Sequence, residues 1–221
     1  MILSRQILIT FIILIATILF FAFTNIDFIV QDNFYNFNTN SWILDRNLQP
    51  YKLIFYDGIK KILIFIAISA LTLLIFFRKS NIIKEYKKGL LIFVLSAIFV
   101  PAVVIGLKNN TNMPCPKNTI HYGGIYPHTK VWEIYPKNFQ QNKIRCWPAG
   151  HASAGFALLS LFFMFRTKKN KYIALYSALS IGWIMGLYKM SIGDHFLSHT
   201  IITMIIAWLI VLVIKMVIDD K

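Results

Sequence analysis

The sequence predicts an all-α polytopic membrane protein: six transmembrane helices, with one long extracytoplasmic loop between helices three and four. Two observations carry that reading. Hydrophobic residues fill 57% of the 221 positions and charged residues only 14%, whereas a soluble domain is roughly a quarter charged. The charges are also clustered, and they leave six long uncharged runs between them. A chain of this kind has too little polar surface to enclose itself in water, in keeping with its mean hydropathy of +0.61. An aromatic content of 15% excludes disorder, and 2 cysteines are too few for a disulfide scaffold or a zinc module. On a soluble protein the net charge of +14 suggests nucleic acid. Here it has to be read against a bilayer, and no nucleic-acid partner is expected.

The six runs are Gln6–Ile26, Ile62–Phe77, Gly89–Leu107, Cys146–Phe165, Tyr172–Tyr188 and His195–Ile214. Crossing about 30 Å of hydrocarbon at about 1.5 Å per residue takes roughly 20 residues. Most of the runs reach or approach that length. The second is short and is expected to extend upstream through Asp57–Lys61, with Lys60 and Lys61 snorkelling outward. The first is too long for a signal peptide and no clear A-x-A site follows it, so it reads as an uncleaved span. No internal repeat or linker divides the chain, and residues 1–221 are expected to form a single membrane domain.

Basic residues orient the spans. The loops Arg78–Lys88 and Arg166–Lys171 hold nine Lys and Arg in seventeen positions. The opposite side, Asp27–Lys61 and Lys108–Arg145, carries ten over far more chain. Dense Lys and Arg in short loops mark the cytoplasmic side, so both termini are expected in the cytoplasm. The segment Lys108–Arg145 is rich in Asn, Pro, Gly and Lys. It reads as an outer loop that serves as a lid or binding wall. Its Lys117, Lys130, Lys137, Lys143 and Arg145 suit an anionic headgroup.

Alternation of the spans gathers the chemistry at that outer face. Lys108 ends span three, His151 is near the start of span four, Lys189 ends span five, and His195 and His199 open span six one helical turn apart. Span-end lysines often snorkel and a single membrane histidine is often a helix–helix hydrogen bond. Several ionisable groups at one boundary point instead to function. Lys108 and Lys189 are fixed cations suited to phosphate oxygens. Pro148-Ala149-Gly150-His151 puts a glycine at a helix start, where free N–H groups and the helix dipole attract an anion. His151 and His195 are suited to acid/base and nucleophilic roles. Three histidines also suit zinc, but Asp194, the available carboxylate, is adjacent to His195 and diverges from it, and H-E-x-x-H is absent. No metal or other cofactor is expected. A G-x-S-x-G nucleophile elbow is absent too.

On these residues the chain resembles the type 2 phosphatidic acid phosphatase superfamily of membrane lipid phosphate phosphatases. That family carries K-x6-R-P, P-S-G-H and S-R-x5-H-x3-D. The corresponding segments are Lys108-x6-Cys115-Pro116, Pro148-Ala149-Gly150-His151 and Tyr188-Lys189-x5-His195-x3-His199, in the same order. The resemblance implies a six-helix core. It implies that His195 attacks phosphorus to form a phosphohistidine, that His151 protonates the leaving oxygen, and that water hydrolyses the intermediate. Lys108, Lys189 and the Ala149–His151 backbone then hold the phosphoryl oxygens, and no metal is needed.

The departures define a divergent subgroup. Cys115 and Lys189 stand where the family has arginines, Ala149 where it has a serine, and His199 where an aspartate orients the nucleophile. A neutral His199 can still accept the ring proton of His195 and fix its tautomer. Arg145, six residues before His151, is placed to restore a guanidinium. Cys115 and Cys146 both fall on the outer side, which is oxidising for a bacterial inner membrane. A disulfide between them is expected, tying the first motif to the second.

The function implied is hydrolysis of a phosphate monoester or diphosphate of a membrane lipid: lipid A, undecaprenyl diphosphate or phosphatidylglycerophosphate. The site is expected to face the periplasm across a bacterial inner membrane. Two alternatives use the same residues. A lipid phosphotransferase would pass the phosphoryl group to a lipid acceptor, and a catalytically degenerate member would only bind lipid. Oligomeric state is not legible.

Overall fold

Five helices are long and apolar enough to cross a membrane in the computed structural model, which describes residues 2–136, 139 and 141–220. They are α1 (Ile2–Ala22), the continuous helix Gln49–Phe76, α5 (Asn81–Asn109), α7 (Lys168–Ser191) and α8 (Leu197–Asp219). The short second run does extend upstream. Helix α3 (Gln49–Lys52) passes through a π-helical stretch, Leu53–Gly58, into α4 (Ile59–Phe76).

The fourth expected span, Cys146–Phe165, is shorter than its uncharged run. It forms the apolar helix Gly150–Phe163, in which α6 (Gly150–Ala157) tightens into a 3₁₀ segment, Leu158–Phe163. The cause is Pro148. Proline lacks an N–H and disfavours helix in the residue before it, so Cys146 and Trp147 stay outside and the helix starts at Gly150. Helix α6 is enclosed by α5, α7 and α8. Its Ala152, Ser153, Gly155, Phe156 and Ala157 are all buried. Protein rather than lipid meets this helix.

Small residues let these helices approach, a usual device where lipid removes the hydrophobic drive for association. A Cβ placed on Gly155 of α6 would stand 2.8 Å from the Cα of Gly182 on α7. One placed on Gly186 of α7 would stand 2.4 Å from a Thr200 methyl on α8. The largest apolar cluster forms around them, with Val100, Phe156, Met185 and Ala207 at its centre. Large apolar side chains of α1 and α4, such as Ile12, Phe65 and Phe76, face outward, as a lipid-facing surface requires.

The longer segments outside the spanning helices collect at one end. After α1 come α2 (Ile26–Gln31) and a two-stranded hairpin, β1 (Tyr35–Asn36) and β2 (Ser41–Trp42). The loop from Asn110 to Ala149 lies at the same end, where Lys108, His151, Lys189 and His199 also sit on their helices. Phe28, Tyr35, Trp42, Tyr122 and Phe196 pack edge to face and fuse the hairpin and loop to the bundle. Tyr122 and His121 both bond one oxygen of Asp32, at 2.8 Å each.

Cys115 and Cys146 form the expected disulfide, with Cα atoms 5.2 Å apart and a sequence separation of 31. Closing a loop of that length removes about 3–4 kcal/mol of denatured-state entropy in the chain-entropy model. The double variant Cys115→Ser/Cys146→Ser is therefore expected to lower unfolding stability by about that amount. A thermal melt in detergent, wild type beside variant and each with and without reductant, measures it. The variant should melt lower, and only the wild type should respond to reductant.

Candidate active site

Helix geometry places the three histidines within reach of one another. His195 precedes α8 and His199 lies in its first turn, four residues on, so both rings fall on one face. His151 is the second residue of α6. The Nδ1 atoms of His195 and His199 are 3.2 Å apart. Nε2 of His195 is 3.5 Å from Nδ1 of His151. Because His195 turns a different nitrogen to each neighbour, the three rings form a relay, not a shell around one point. His195 and His199 are fully buried, while His151 is less so and stands in the wall of a cavity of about 410 Å³.

The relay has a defined sense. If His195 Nδ1 donates to His199 Nδ1, then His195 Nε2 carries the lone pair and faces His151. His199 then holds its own proton on Nε2, a buried atom with no well-formed hydrogen bond. The backbone of Cys146 is the polar neighbour on that side, so the disulfide adjoins the relay as well as the loop.

Lys108 stands beside His151, and three further cations gather on Asp194, the residue before His195. Lys108 lines the cavity with His151 and Gly150. Lys189 Nζ bonds Asp194 Oδ2 at 3.1 Å. Lys117 Nζ lies 2.9 Å from Asp194 Oδ1, and Arg46 pairs with the same oxygen. Burial pushes the Asp194 carboxyl upward, but the Lys117 hydrogen bond and the charges of Lys189, Lys117 and Arg46 outweigh it and hold the pKa below the usual value. Both Asp194 oxygens are occupied by cations, Oδ1 by Lys117 and Arg46 and Oδ2 by Lys189. Its place is to anchor the cations.

The expected phosphate-binding backbone divides in two. The Ala149 N–H donates to Thr203 Oγ1 at 2.8 Å and Ala149 is fully buried. It thus pins α6 to α8 and does not line the cavity. Gly150 does line it, and a Cβ added there would meet nothing within 4 Å, so space for an anion lies beside the helix start. Arg145 is exposed and bonds Asn109 Oδ1 at 3.3 Å, at the rim beside Lys108. Arg46, which sequence reasoning missed, is the guanidinium beside Lys189. Lys137 lies outside the described residues.

The loop carrying His195 is held from outside the bundle. Gly193 has φ +70 and its Cα side faces the Trp42 ring, where a Cβ would stand 2.3 Å from a ring carbon. Only glycine meets both conditions. Gln31 Nε2 donates to the Met190 carbonyl at 2.8 Å. Asp27, one turn earlier on α2, accepts from the Ser198 N–H at 2.8 Å and from its hydroxyl. Asp27 thereby caps the start of α8 from 171 residues away. Burial raises its pKa to about 6, with the Ser198 bonds pulling the other way. His128, in the same region, is held below the usual histidine value by burial first and by Lys130 second, against Glu133.

Removing this clamp is expected to loosen the segment that carries His195. Asp27→Ala orphans the buried Ser198 N–H and hydroxyl, at about 1.5–3 kcal/mol of stability for bonds to a charged acceptor. Its kcat should fall about tenfold or more with KM little changed, because the cost falls on placing His195. A kcat equal to wild type in steady-state assays would show that the clamp does not act on the site.

The fold is that of a multi-pass membrane protein, with three histidines in contact at one end and Lys108 beside them. The chain belongs to the PAP2 superfamily, whose family model matches residues 89–221. It is also 26% identical over 200 residues to a lipid A 4'-phosphatase of Francisella tularensis subsp. novicida (strain U112), covering 84% of this chain and 83% of that protein. No solved structure matches the chain. The matched region begins in α5 and contains His151, His195, His199, Lys108 and Lys189. Arg46 and the α2 clamp precede it.

Proposed function

We propose that the protein dephosphorylates a lipid at the periplasmic face of a bacterial inner membrane, through a phosphohistidine on His195. The observation that carries this reading is the His151–His195–His199 relay, with His195 Nε2 turned toward His151 and Nδ1 toward His199. The phosphoryl group enters where the 3.5 Å contact between His151 and His195 opens.

The steps balance as follows. The His195 Nε2 lone pair forms the N–P bond as the bond from phosphorus to the lipid oxygen breaks. That oxygen takes a proton from the His151 imidazolium, which becomes a neutral ring. His199 Nδ1 accepts the hydrogen bond of the His195 Nδ1–H as positive charge grows on the ring. Water then attacks phosphorus, giving its proton to His151, and the N–P bond breaks to release inorganic phosphate and restore both histidines. Lys108 and Lys189 stabilise the charge on the transferring oxygens as point charges.

The relative bears on the substrate class. The 26% identity to a lipid A 4'-phosphatase over 84% of this chain favours a phosphorylated saccharide lipid over undecaprenyl diphosphate and phosphatidylglycerophosphate. Phosphate release by the purified protein from these three lipids tests it. Lipid A should be the fastest substrate, with loss of one of its two phosphates. Faster release from either other lipid would reassign the substrate. Transfer of label to a lipid acceptor in place of water would make the protein a phosphotransferase. The same residues, single domain and orientation serve all three outcomes.

A further inference from the structure

A second, polar cavity of about 260 Å³ opens at the same end of the molecule. Arg46, Asn47, Gln49 and Lys52 form one wall, Lys189 and Asp194 the other, and none of the three relay histidines lines it. The walls are tied together. The Leu44 N–H donates to the Ser191 carbonyl at 3.3 Å, and Arg46 pairs with Asp194. Three cations and one carboxylate line the cavity, which leaves two positive charges. Lys117, outside the lining, shares Asp194 and offsets the carboxylate further. The neighbouring Asp45 accepts the Asn47 N–H at 2.8 Å and does not line the cavity.

This cavity stands a fixed distance from the catalytic one. Lys52 lines the polar cavity and Lys60 the cavity beside His151, and both belong to the continuous helix Gln49–Phe76. Their separation along it is on the order of 10 Å. Lys189 joins the two sites: it lines the polar cavity, and its charge acts on both His151 and His195. A ligand that fills both cavities therefore carries two anionic groups, set apart by about the span of a disaccharide. The lining also defines the second group. Arg46 meets Asp194 through Nη2, and a guanidinium offers five donors in a planar fork. Asn47 and Gln49 add side-chain amides, and Lys52 adds a point charge. A phosphate monoester brings close to two negative charges and three acceptor oxygens at neutral pH, which matches both the charge and the donors. A carboxylate would balance half of that charge, and a neutral sugar none.

We propose that this cavity binds the second phosphate of a bisphosphorylated saccharide lipid, held by Arg46 and Lys52 while the first phosphate reacts at His195. The inference rests on the saccharide-lipid reading above and deepens it. It names two residues that select a substrate with two phosphates and fix which of them reaches the nucleophile. Arg46, Asn47, Gln49 and Lys52 all precede residues 89–221, the part matched by the family model, so this selectivity lies outside the shared catalytic region.

Two measurements test it. The first compares kcat/KM for a bisphosphorylated disaccharide lipid with that for the same lipid carrying only the phosphate that the protein removes. Wild type should favour the bisphosphate by about tenfold or more. Lys52→Ala and Arg46→Gln should each lower that ratio about tenfold, the size of one charged contact. Both residues are exposed, so the fold should tolerate either change. Lys61→Ala removes an equal charge from a side chain that lines neither cavity, and should leave the ratio unchanged. A wild-type ratio near one, or no fall in either variant, overturns the second site while leaving the phosphatase reading intact. An equal fall in Lys61→Ala assigns the effect to overall charge and overturns it too. The second measurement needs no turnover: equilibrium binding of the two lipids to His195→Gln in detergent. The bisphosphate should bind about tenfold tighter, and the difference should vanish when Lys52→Ala is added. If the two lipids bind alike while inorganic phosphate binds in a Lys52-dependent way, the cavity takes free phosphate and the proposal fails. A bisphosphate preference in binding, with a wild-type protein that releases no phosphate, upholds the second site and sinks the phosphatase reading.

Discussion

His195→Ala is expected to lower phosphate release from the lipid substrate by about 10³-fold or more, because it removes the atom that bonds phosphorus. The loss should lie in kcat. His195 is buried behind His151, so a lipid held at the cavity beside Lys108 should still bind. The residue is also part of the packed start of α8, and its removal risks a folding defect. His195→Gln separates the two effects, since it keeps most of the volume and a polar group beside His199 but supplies no nucleophile. Both variants should melt near wild type and both should be inactive. If His195→Gln retained wild-type kcat, the nucleophile would have to be another group.

The second large effect is expected at His151, and its size should depend on the leaving group. A general acid contributes about 10²–10⁴-fold when the departing oxygen needs a proton. A lipid or sugar alkoxide needs one; a nitrophenolate does not. His151→Ala should therefore depress turnover of the lipid substrate by about 10²-fold or more and that of an activated aryl phosphate far less. Steady-state kinetics on the two esters read the contrast directly. Equal losses on both would assign His151 to binding and not to proton transfer, since a binding role is blind to the leaving group. The contact between His151 Nδ1 and His195 Nε2 makes this the sharper of the two tests of mechanism.

Much of the site was legible because charge is sparse in this chain. Lys108, His151, Lys189, His195 and His199 stand out against apolar runs, and the parity of the spans puts them at one end without any knowledge of packing. Cys115 and Cys146 were legible for the same reason, being alone on that side. The boundary of α6 was not, although Pro148 was in view: an uncharged run records where charge is absent, while helix start depends on the backbone at proline. Three further residues, Arg46, Asp27 and Lys60, were missed, and Lys117 was noted without its partner. Arg46, Lys117 and Asp27 lie in segments where several similar residues compete, and their partners are 148, 77 and 171 positions away. Lys60 looked like an ordinary snorkelling lysine, and only the face shared with Leu63, Ile64 and Ala67 distinguishes it from Lys61. The Ala149 N–H shows the converse error. A free donor at a helix start is a sound expectation, but Thr203, a turn along α8 from His199, had already satisfied it.

The departures from the family pattern also take a physical form. At position 199 a histidine stands where an aspartate is expected, and its Nδ1 lies 3.2 Å from Nδ1 of His195, so a ring contact takes the place of the carboxylate and its negative charge is lost. Lys189 replaces a forked guanidinium with a point charge, and Arg46 stands beside it on the shared Asp194. The disulfide takes the place of the arginine at 115, closing the loop onto the strand of chain that enters α6.

The measurement that tests the central claim most directly is a rapid alkaline quench of the wild-type protein during turnover of its lipid substrate, followed by mass spectrometry of the peptides. Alkaline conditions preserve a phosphoramidate that acid destroys. The account predicts a phosphoryl adduct on His195, appearing before steady-state phosphate release and absent from His195→Gln. Turnover with no adduct on His195, or with the adduct on another residue, contradicts it.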